Sequence, residues 1–175
     1  GGFTDCLLQH GADSVLAIDV GKGQMHEKII ADPRATVLEQ TDVRSLEAEK
    51  IGAPFQILTA DLAFISLRTV MSELFSLVSK GSDMLLLVKP QFEAGKKEVD
   101  KGRGVISNPQ IWEEVLWRVK DSINSYDAAI IECMPSPIKG SEGNVEFFLH
   151  VKPETTQVEV GVSEAISLAM QKSEG

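Results

Sequence analysis

The sequence predicts an α/β fold with a mostly parallel, doubly wound sheet, and three observations carry that prediction. Short β-branched runs alternate along the chain with amphipathic stretches, the pattern that lays helices on the faces of a parallel sheet. One run, "DMLLLVK" at residues 83–89, is apolar almost throughout, as a strand covered on both faces must be. The chain also opens on a glycine pair that runs straight into a helix, "GGFTDCLLQHGA". Such a turn lets backbone N–H groups approach a nucleotide-type ligand closely, and in α/β sheets it ordinarily follows a strand.

Taken in order, Thr4 is placed to cap a short helix that runs to His10 and ends at Gly11. "SVLAID" (14–19) and "ATVLEQ" (35–40) read as the first two strands, and "FQILTAD" (55–61) as the third. A helix is expected over 67–79, where Leu67, Val70, Met71, Leu74, Leu77 and Val78 share a face and Gly81 stops it. The fourth strand, 83–89, follows. Asn108 and Pro109 form a cap and first-turn pair for a helix to about Asn124, with Trp112, Val115, Leu116, Val119 and Ile123 inward. "DAAIIECM" (127–134) and "NVEFFLHV" (144–151) supply two last strands. Ser163 caps a short terminal helix carrying Ile166, Ala169 and Met170.

The 175 residues, 43% hydrophobic and 25% charged, suffice for one full core. No apolar run approaches the roughly 18 residues of a spanning helix, and no signal peptide opens the chain, so a cytoplasmic, non-membrane protein is expected. Cys6 and Cys133 lack CxxC or Cys/His spacing and read as reduced, buried, small apolar residues. The three histidines are scattered, and no metal site is expected. The net charge of −9 is wrong for a chain that holds a polyanion unaided. If nucleic acid is the partner, affinity must come from a local basic patch or from protein beyond this chain.

Ligands of doubly wound sheets sit at the carboxyl ends of the strands, which selects Asp19, Asp61, Lys89 and, at the start of the final strand, Glu146. Asp19 lies 17 positions after Gly2, near the interval of about 20 residues between a glycine turn and the acid that takes ribose hydroxyls; a simple turn former is the alternative. Gly21 and Gly23 read as turn residues. Asp61 borders an apolar segment and needs a donor, as a site residue or as a helix N-terminal acid. Lys89 ends an apolar run and is followed at once by Pro90, a position where an unpartnered ammonium is rare. Residues 90–108 are long for a connection in a compact fold and read as a lid or a solvated loop. Lys96, Lys97, Lys101 and Arg103 form its basic cluster. Asn144 and Glu146 follow a Pro/Gly turn.

In this order, "GGFTDCLLQHGA", "AIDVGKGQ", "TADLAFISL", "LVKPQFEAGK" and "SPIKGSEGNVEFFLH" resemble the TlyA (hemolysin A) family of FtsJ-like ribosomal RNA 2'-O-methyltransferases, from residue 1 to about 151. The resemblance implies a Rossmann-like domain over 1–152 that depends on S-adenosylmethionine (SAM), with seven strands of which the last is antiparallel. Residues 153–175 are then a C-terminal extension with a short helix. The resemblance further implies a Lys-Asp-Lys-Glu tetrad, of which Asp61, Lys89 and Glu146 match. Gly1, Gly2 and Phe3 match the end of the SAM-binding turn. The first tetrad lysine, the first strand and an S4-type RNA-binding domain are expected upstream of Gly1.

The chemistry implied is attack of a ribose 2'-hydroxyl on the SAM methyl group. Lys89 accepts the hydroxyl proton or holds the oxygen, Asp61 orients Lys89 and lies near the cofactor sulfonium, and Glu146 fixes the lysine or the nucleotide. Asp19 takes the SAM ribose, and Asp42, in "TDVRSL", takes the adenine edge. Lys96, Lys97, Lys101, Arg103 and Asn144 are the residues expected to meet RNA. Three rival readings remain at this point. They are a degenerate methyltransferase fold that only binds RNA or protein, a membrane-active hemolysin without a visible membrane segment, and an NAD-type oxidoreductase, which the glycine order disfavours.

Overall fold

The computed structural model describes residues 1–155 and 161–173, without the side chains of Lys101, Ser141, Lys172 and Ser173. The chain divides into two units, Gly1–Gly52 and Ala53–Gly175.

In the first unit, helix α1 (Gly2–Gln9) leads to strand β1 (Val15–Ile18), a short helix α2 (Glu27–Ile30) and strand β2 (Ala35–Leu38). The two strands pair in parallel, Val15 opposite Ala35 through Ile18 opposite Leu38. Leu8, Ala17 and Ile29 are buried. The helix begins at Gly2 with no side-chain cap, so Thr4 is not its cap but a buried residue one turn in. Its end matches expectation: Gly11 takes φ +92°, and the Ala12 N–H reaches back to the Leu7 carbonyl at 3.0 Å. Two 3-10 turns, Val43–Ser45 and Ala48–Ile51, complete the unit.

The second unit is a four-stranded sheet in the order β3-β4-β6-β5, formed by β3 (Phe55–Ala60), β4 (Val78–Val88), β5 (Ala128–Pro135) and β6 (Phe147–Pro153). β3 and β4 are parallel, and β6 runs antiparallel to both β4 and β5. The antiparallel last strand is therefore as expected; among the described residues there are six strands, against the seven the resemblance implies. Met84, Leu86 and Val88 of β4 are fully buried. Helix α6 (Pro109–Asn124) buries the five residues its periodicity selects, and the Trp112 ring meets Phe147 edge-on at 5.9 Å. Helix α7 (Val162–Ser173) packs on β5 and α6. It starts one residue before Ser163, which is therefore not its cap; Val162, Ala165, Ile166 and Ala169 are buried while Met170 is exposed.

Several boundaries differ for physical reasons. The helix expected over 67–79 is a 3-10 turn, Leu67–Val70, followed by α3 (Met71–Ser76). The chain leaves it early because the Phe55 N–H takes the Leu77 carbonyl at 2.8 Å and draws 78 onward into the sheet. Gly81, with φ +85°, serves a bulge inside β4, where the Ser82 hydroxyl bonds the Phe55 carbonyl. The long connection 90–108 contains a helical turn α4 (Pro90–Glu93) and helix α5 (Lys96–Lys101), with Gln91, Glu93 and Ile106 buried. At both ends it is packed structure rather than a free cover. β6 starts after Glu146, not at Asn144, because Asn144 is held by loop contacts described below. Cys6 is exposed, not buried, with its sulfur 3.7 Å from His10 Nδ1. Cys133 is half-buried, and that burial pushes its thiol up to about 12.

Candidate active site

Strand register brings three of the expected residues to one edge of the second unit. Ala60 is the last residue of β3, with Asp61 next, and Lys89 follows Val88, the last residue of β4. Val88 pairs with Phe147 in antiparallel register, so the residues just beyond that pair, Lys89 and Glu146, leave the sheet side by side. The Lys89 Nζ donates to Asp61 Oδ1 at 2.6 Å; the lysine side chain is 15% exposed and the aspartate 48%. Asp61 thus has the donor its setting demands, and it lies in a loop, not at a helix start. Pro90 stops the strand, and its fixed φ suits the first position of the α4 turn.

That turn spreads its side chains over the neighbouring loops. Gln91 Nε2 donates to Glu146 Oε1 at 3.1 Å, which ties Glu146 to the residue two positions beyond Lys89. The Gln91 Oε1 is buried without a hydrogen-bond partner among the described residues. Glu93 accepts from the Ser66 hydroxyl and the Leu67 N–H, both at 2.6 Å, and from Arg68 Nε at 3.2 Å. Phe92 meets Phe64 at 5.2 Å between ring centroids. Phe64 is 91% exposed and sits at φ 63°, a region that a bulky residue occupies only at a cost.

Glu146 is buried and packs closely against a glycine. A Cβ on Gly140 would stand 2.2 Å from Glu146 Oε1, so any side chain there would displace the carboxylate. Asn144 is buried too: its Oδ1 accepts from the Ile106 N–H at 2.9 Å and its Nδ2 donates to the Gly104 carbonyl at 3.0 Å. This amide braces the end of the 90–108 connection against the loop that carries Glu146. Of the basic cluster, Lys96, Lys97 and Arg103 are exposed, with Arg103 at φ 50°. The Lys101 side chain lies outside the described residues.

In the first unit, Asp19 directly follows β1 and is half-buried. One of its oxygens accepts from the Gly21 N–H at 2.7 Å. Glu39 follows β2 and accepts from the Gly23 and Gln24 N–H groups at 2.8 Å and from that of Met25 at 3.3 Å. These backbone donors hold its carboxyl below the usual range. Glu39 therefore shapes the glycine loop after Asp19, a role the sequence reading missed. Gly1 caps α1 and is approached by Met25: a Cβ there would lie 3.0 Å from the Met25 sulfur. Gly2 is exposed and Phe3 half-buried. Asp42 caps the Val43–Ser45 turn and is paired with Arg44 through both oxygens. The Arg44 side chain, then its N–H, lower the Asp42 carboxyl to about 2. The donor set fits SAM in part. A half-buried strand-end acid, Asp19, suits the ribose hydroxyls and the uncapped, glycine-led start of α1 suits a polar tail, whereas the Asp42 carboxylate is already engaged. Among the described residues no group of three or more His, Cys, Asp or Glu side chains is placed to hold a metal ion.

Sequence reasoning missed Gln91, Glu93, Ser66, Arg68, Phe64 and Phe92. "LAFISL" reads as core, and no local signal exposes Phe64. The spacing of Gln91 and Glu93 from Lys89 was the one available hint, because i+2 and i+4 from a strand-end residue fall on the next turn.

Comparison with known proteins gives a consistent picture. Residues 1–152 match the family described as FtsJ-like methyltransferase. The chain is 40% identical over 174 residues to the 16S/23S rRNA (cytidine-2'-O)-methyltransferase TlyA of Mycobacterium tuberculosis, covering 98% of this chain and 65% of that protein. It is 34% identical over 158 residues to Hemolysin A of Brachyspira hyodysenteriae, covering 86% of this chain and 62% of the relative. Among solved structures, a protein of Streptococcus thermophilus provisionally named a hemolysin superposes with a TM-score of 0.92 at 34% identity, over 99% of this chain and 64% of that one. The N-methyltransferase NodS of Bradyrhizobium japonicum, at 13% identity and a TM-score of 0.54 over 87% of this chain and 80% of its own, shares the fold.

Proposed function

This chain belongs to the FtsJ-like methyltransferase family, and we propose that it carries the catalytic part of a SAM-dependent enzyme acting on a ribose 2'-hydroxyl of ribosomal RNA. The observation that carries the proposal is the half-buried Lys89–Asp61 pair at the strand ends, 2.6 Å apart and braced through Gln91 to Glu146. The TlyA relative supports the choice of substrate, and the chain spans 65% of that protein's length.

When bound, SAM supplies an electrophilic methyl group on its sulfonium. Everything else falls to the protein. A ribose hydroxyl is a poor nucleophile, so it needs its oxygen held in line and a route for its proton. Lys89 holds that oxygen through Nζ and takes its proton as one of the ammonium protons passes to Asp61, whose half-exposed carboxylate returns it to water. Asp61 holds Nζ in place, and Glu146, fixed by Gln91 and packed on Gly140, sets the other wall of the site. Asp19 takes the cofactor ribose hydroxyls beside the turn of Gly1, Gly2 and Phe3, and Asp42 contributes there through its backbone more than its occupied carboxylate. The exposed Phe64 ring offers a stacking face for a base, and Lys96, Lys97 and Arg103 offer cations for phosphates.

A net charge of −9 is unfavourable for holding RNA unaided, so on this reading most of the RNA affinity comes from protein beyond these residues, such as the S4-type domain of the resemblance, and the ribosomal substrate is met in the cytoplasm. The hemolysin names of two relatives suggest a second reading. Among the described residues no helix is long and apolar enough to cross a membrane, and the catalytic reading gives the ion pair at the strand ends a role. The test is incubation of the intact protein with ribosomal subunits and methyl-labelled SAM. Label in the RNA supports the proposal; SAM binding without transfer favours a degenerate binding module.

A further inference from the structure

We propose that Glu93 is a positioning residue for this reaction, a buried carboxylate that fixes the turn carrying Lys89 to the loop carrying Asp61. The proposal rests on the reading of Lys89 and Asp61 as a methyl-transfer site. Its ground is the way the two loops are joined. Lys89 bonds Asp61, Phe92 packs on Phe64, and Glu93 bonds Ser66, Leu67 and Arg68. The contacts run in the same order along both segments, so the loops are fastened like two edges of a seam.

A single ion pair would leave the loops free to hinge about it. A second attachment four residues along removes that freedom. Glu93 is suited to be that attachment because its side chain is only 2% exposed and three donors converge on its carboxylate. A buried carboxylate is costly unless it is bonded in this way. Arg68 adds a bond from its guanidinium to the Glu93 carbonyl at 3.3 Å, so the backbone of the turn is held as well as its side chain. Misplacing reacting groups by about 1 Å can cost on the order of 100-fold in rate, and the clamp guards against displacement of that size.

The test uses the intact protein with Glu93→Gln and Glu93→Ala, assayed at a temperature where circular dichroism shows each variant folded. Glu93→Ala is expected to lower kcat about 10- to 100-fold while SAM affinity stays near wild type. Glu93→Gln, which retains volume and an acceptor for Leu67, should recover much of the loss. A second readout is independent of turnover. Acetylation of the Lys89 amine, followed by peptide mass spectrometry, should be slow in wild type and several-fold faster in Glu93→Ala, and Glu93→Met, which fills the space but accepts no bond from Ser66, Leu67 or Arg68, is read in its place if the alanine variant does not fold. A folded Glu93→Ala or Glu93→Met protein with wild-type kcat, or with unchanged Lys89 labelling, overturns the clamp. A wild-type protein that transfers no methyl group contradicts the functional reading instead, and the labelling result still decides whether Glu93 holds Lys89.

Discussion

Replacing Lys89 with methionine separates catalysis from stability more cleanly than any other single change. The stability effect is small for reasons visible in the structure. Asp61 is 48% exposed and re-solvates when its partner is removed, so the lost pair counts as a mostly surface interaction of about 0–1 kcal/mol. In the other direction, methionine fills the space of the lysine stem, which is 15% exposed, and removes the cost of a poorly solvated ammonium. The two contributions oppose each other, and the melting temperature should move by no more than about 2–4 °C. The rate effect is of another order. Loss of the group that orients the 2'-hydroxyl and carries its proton should lower methylation about 100- to 10,000-fold, or roughly 2.7–5.4 kcal/mol of barrier. Lys89→Arg should fail nearly as badly, because guanidinium keeps the charge but offers a different hydrogen-bond geometry and no route for the proton. The assay is labelled methyl transfer to ribosomal subunits, with SAM affinity and thermal melting measured on the same preparations. Near-normal methylation by Lys89→Met would refute the assignment. Joint loss of SAM binding and methylation would move Lys89 into the cofactor site.

Three further outcomes follow from particular contacts. Gly140→Ala places a Cβ 2.2 Å from Glu146 Oε1, so the carboxylate must swing away from Gln91; methylation should fall sharply while the protein stays folded, and an unaffected rate would remove Glu146 from the site. Because the Glu39 carboxyl is held below its ordinary value by backbone donors, its hold on residues 23–25 is complete above its unfolded pKa and lost as pH falls through the lowered folded value; amide exchange at Gly23 and Gln24 should accelerate only in that acidic window. At pH 8 the exposed Cys6 should react with iodoacetamide long before Cys133, whose thiol is pushed up to about 12 by burial and is a thiolate in only about one part in 10,000; comparable rates would show that the burial is wrong.

How much of this was legible in the sequence depends on whether the cause is local. The strands at 15–18, 35–38, 55–60 and 128–135 were, because runs of β-branched and apolar residues bounded by turn formers carry their own signal. The inward face of α6 was legible for the same reason. The early end of α3 was not, since the bond from Phe55 to Leu77 that draws the chain away comes from another strand. Within the site, Asp61, Lys89 and Glu146 stood out as charges at the ends of apolar runs. Glu93 did not, because among the charges of "EAGKKEVDK" it looks solvated, and only tertiary structure shows three donors meeting it. The structural bonds of Asn144 were hidden for the same reason. Its polarity beside a glycine turn suggested a ligand, and its partners proved to be Ile106 and Gly104 of its own chain.

The most direct test of the central claim is the chemical position of the transferred methyl group. Ribosomal RNA methylated by the intact protein with labelled SAM should be digested to nucleosides and analysed by mass spectrometry. The site built on Lys89, Asp61 and Glu146 predicts that the label appears in 2'-O-methylated nucleosides and disappears with Lys89→Met. Label on a base, or 2'-O-methylation that persists in the Lys89→Met protein, would contradict it.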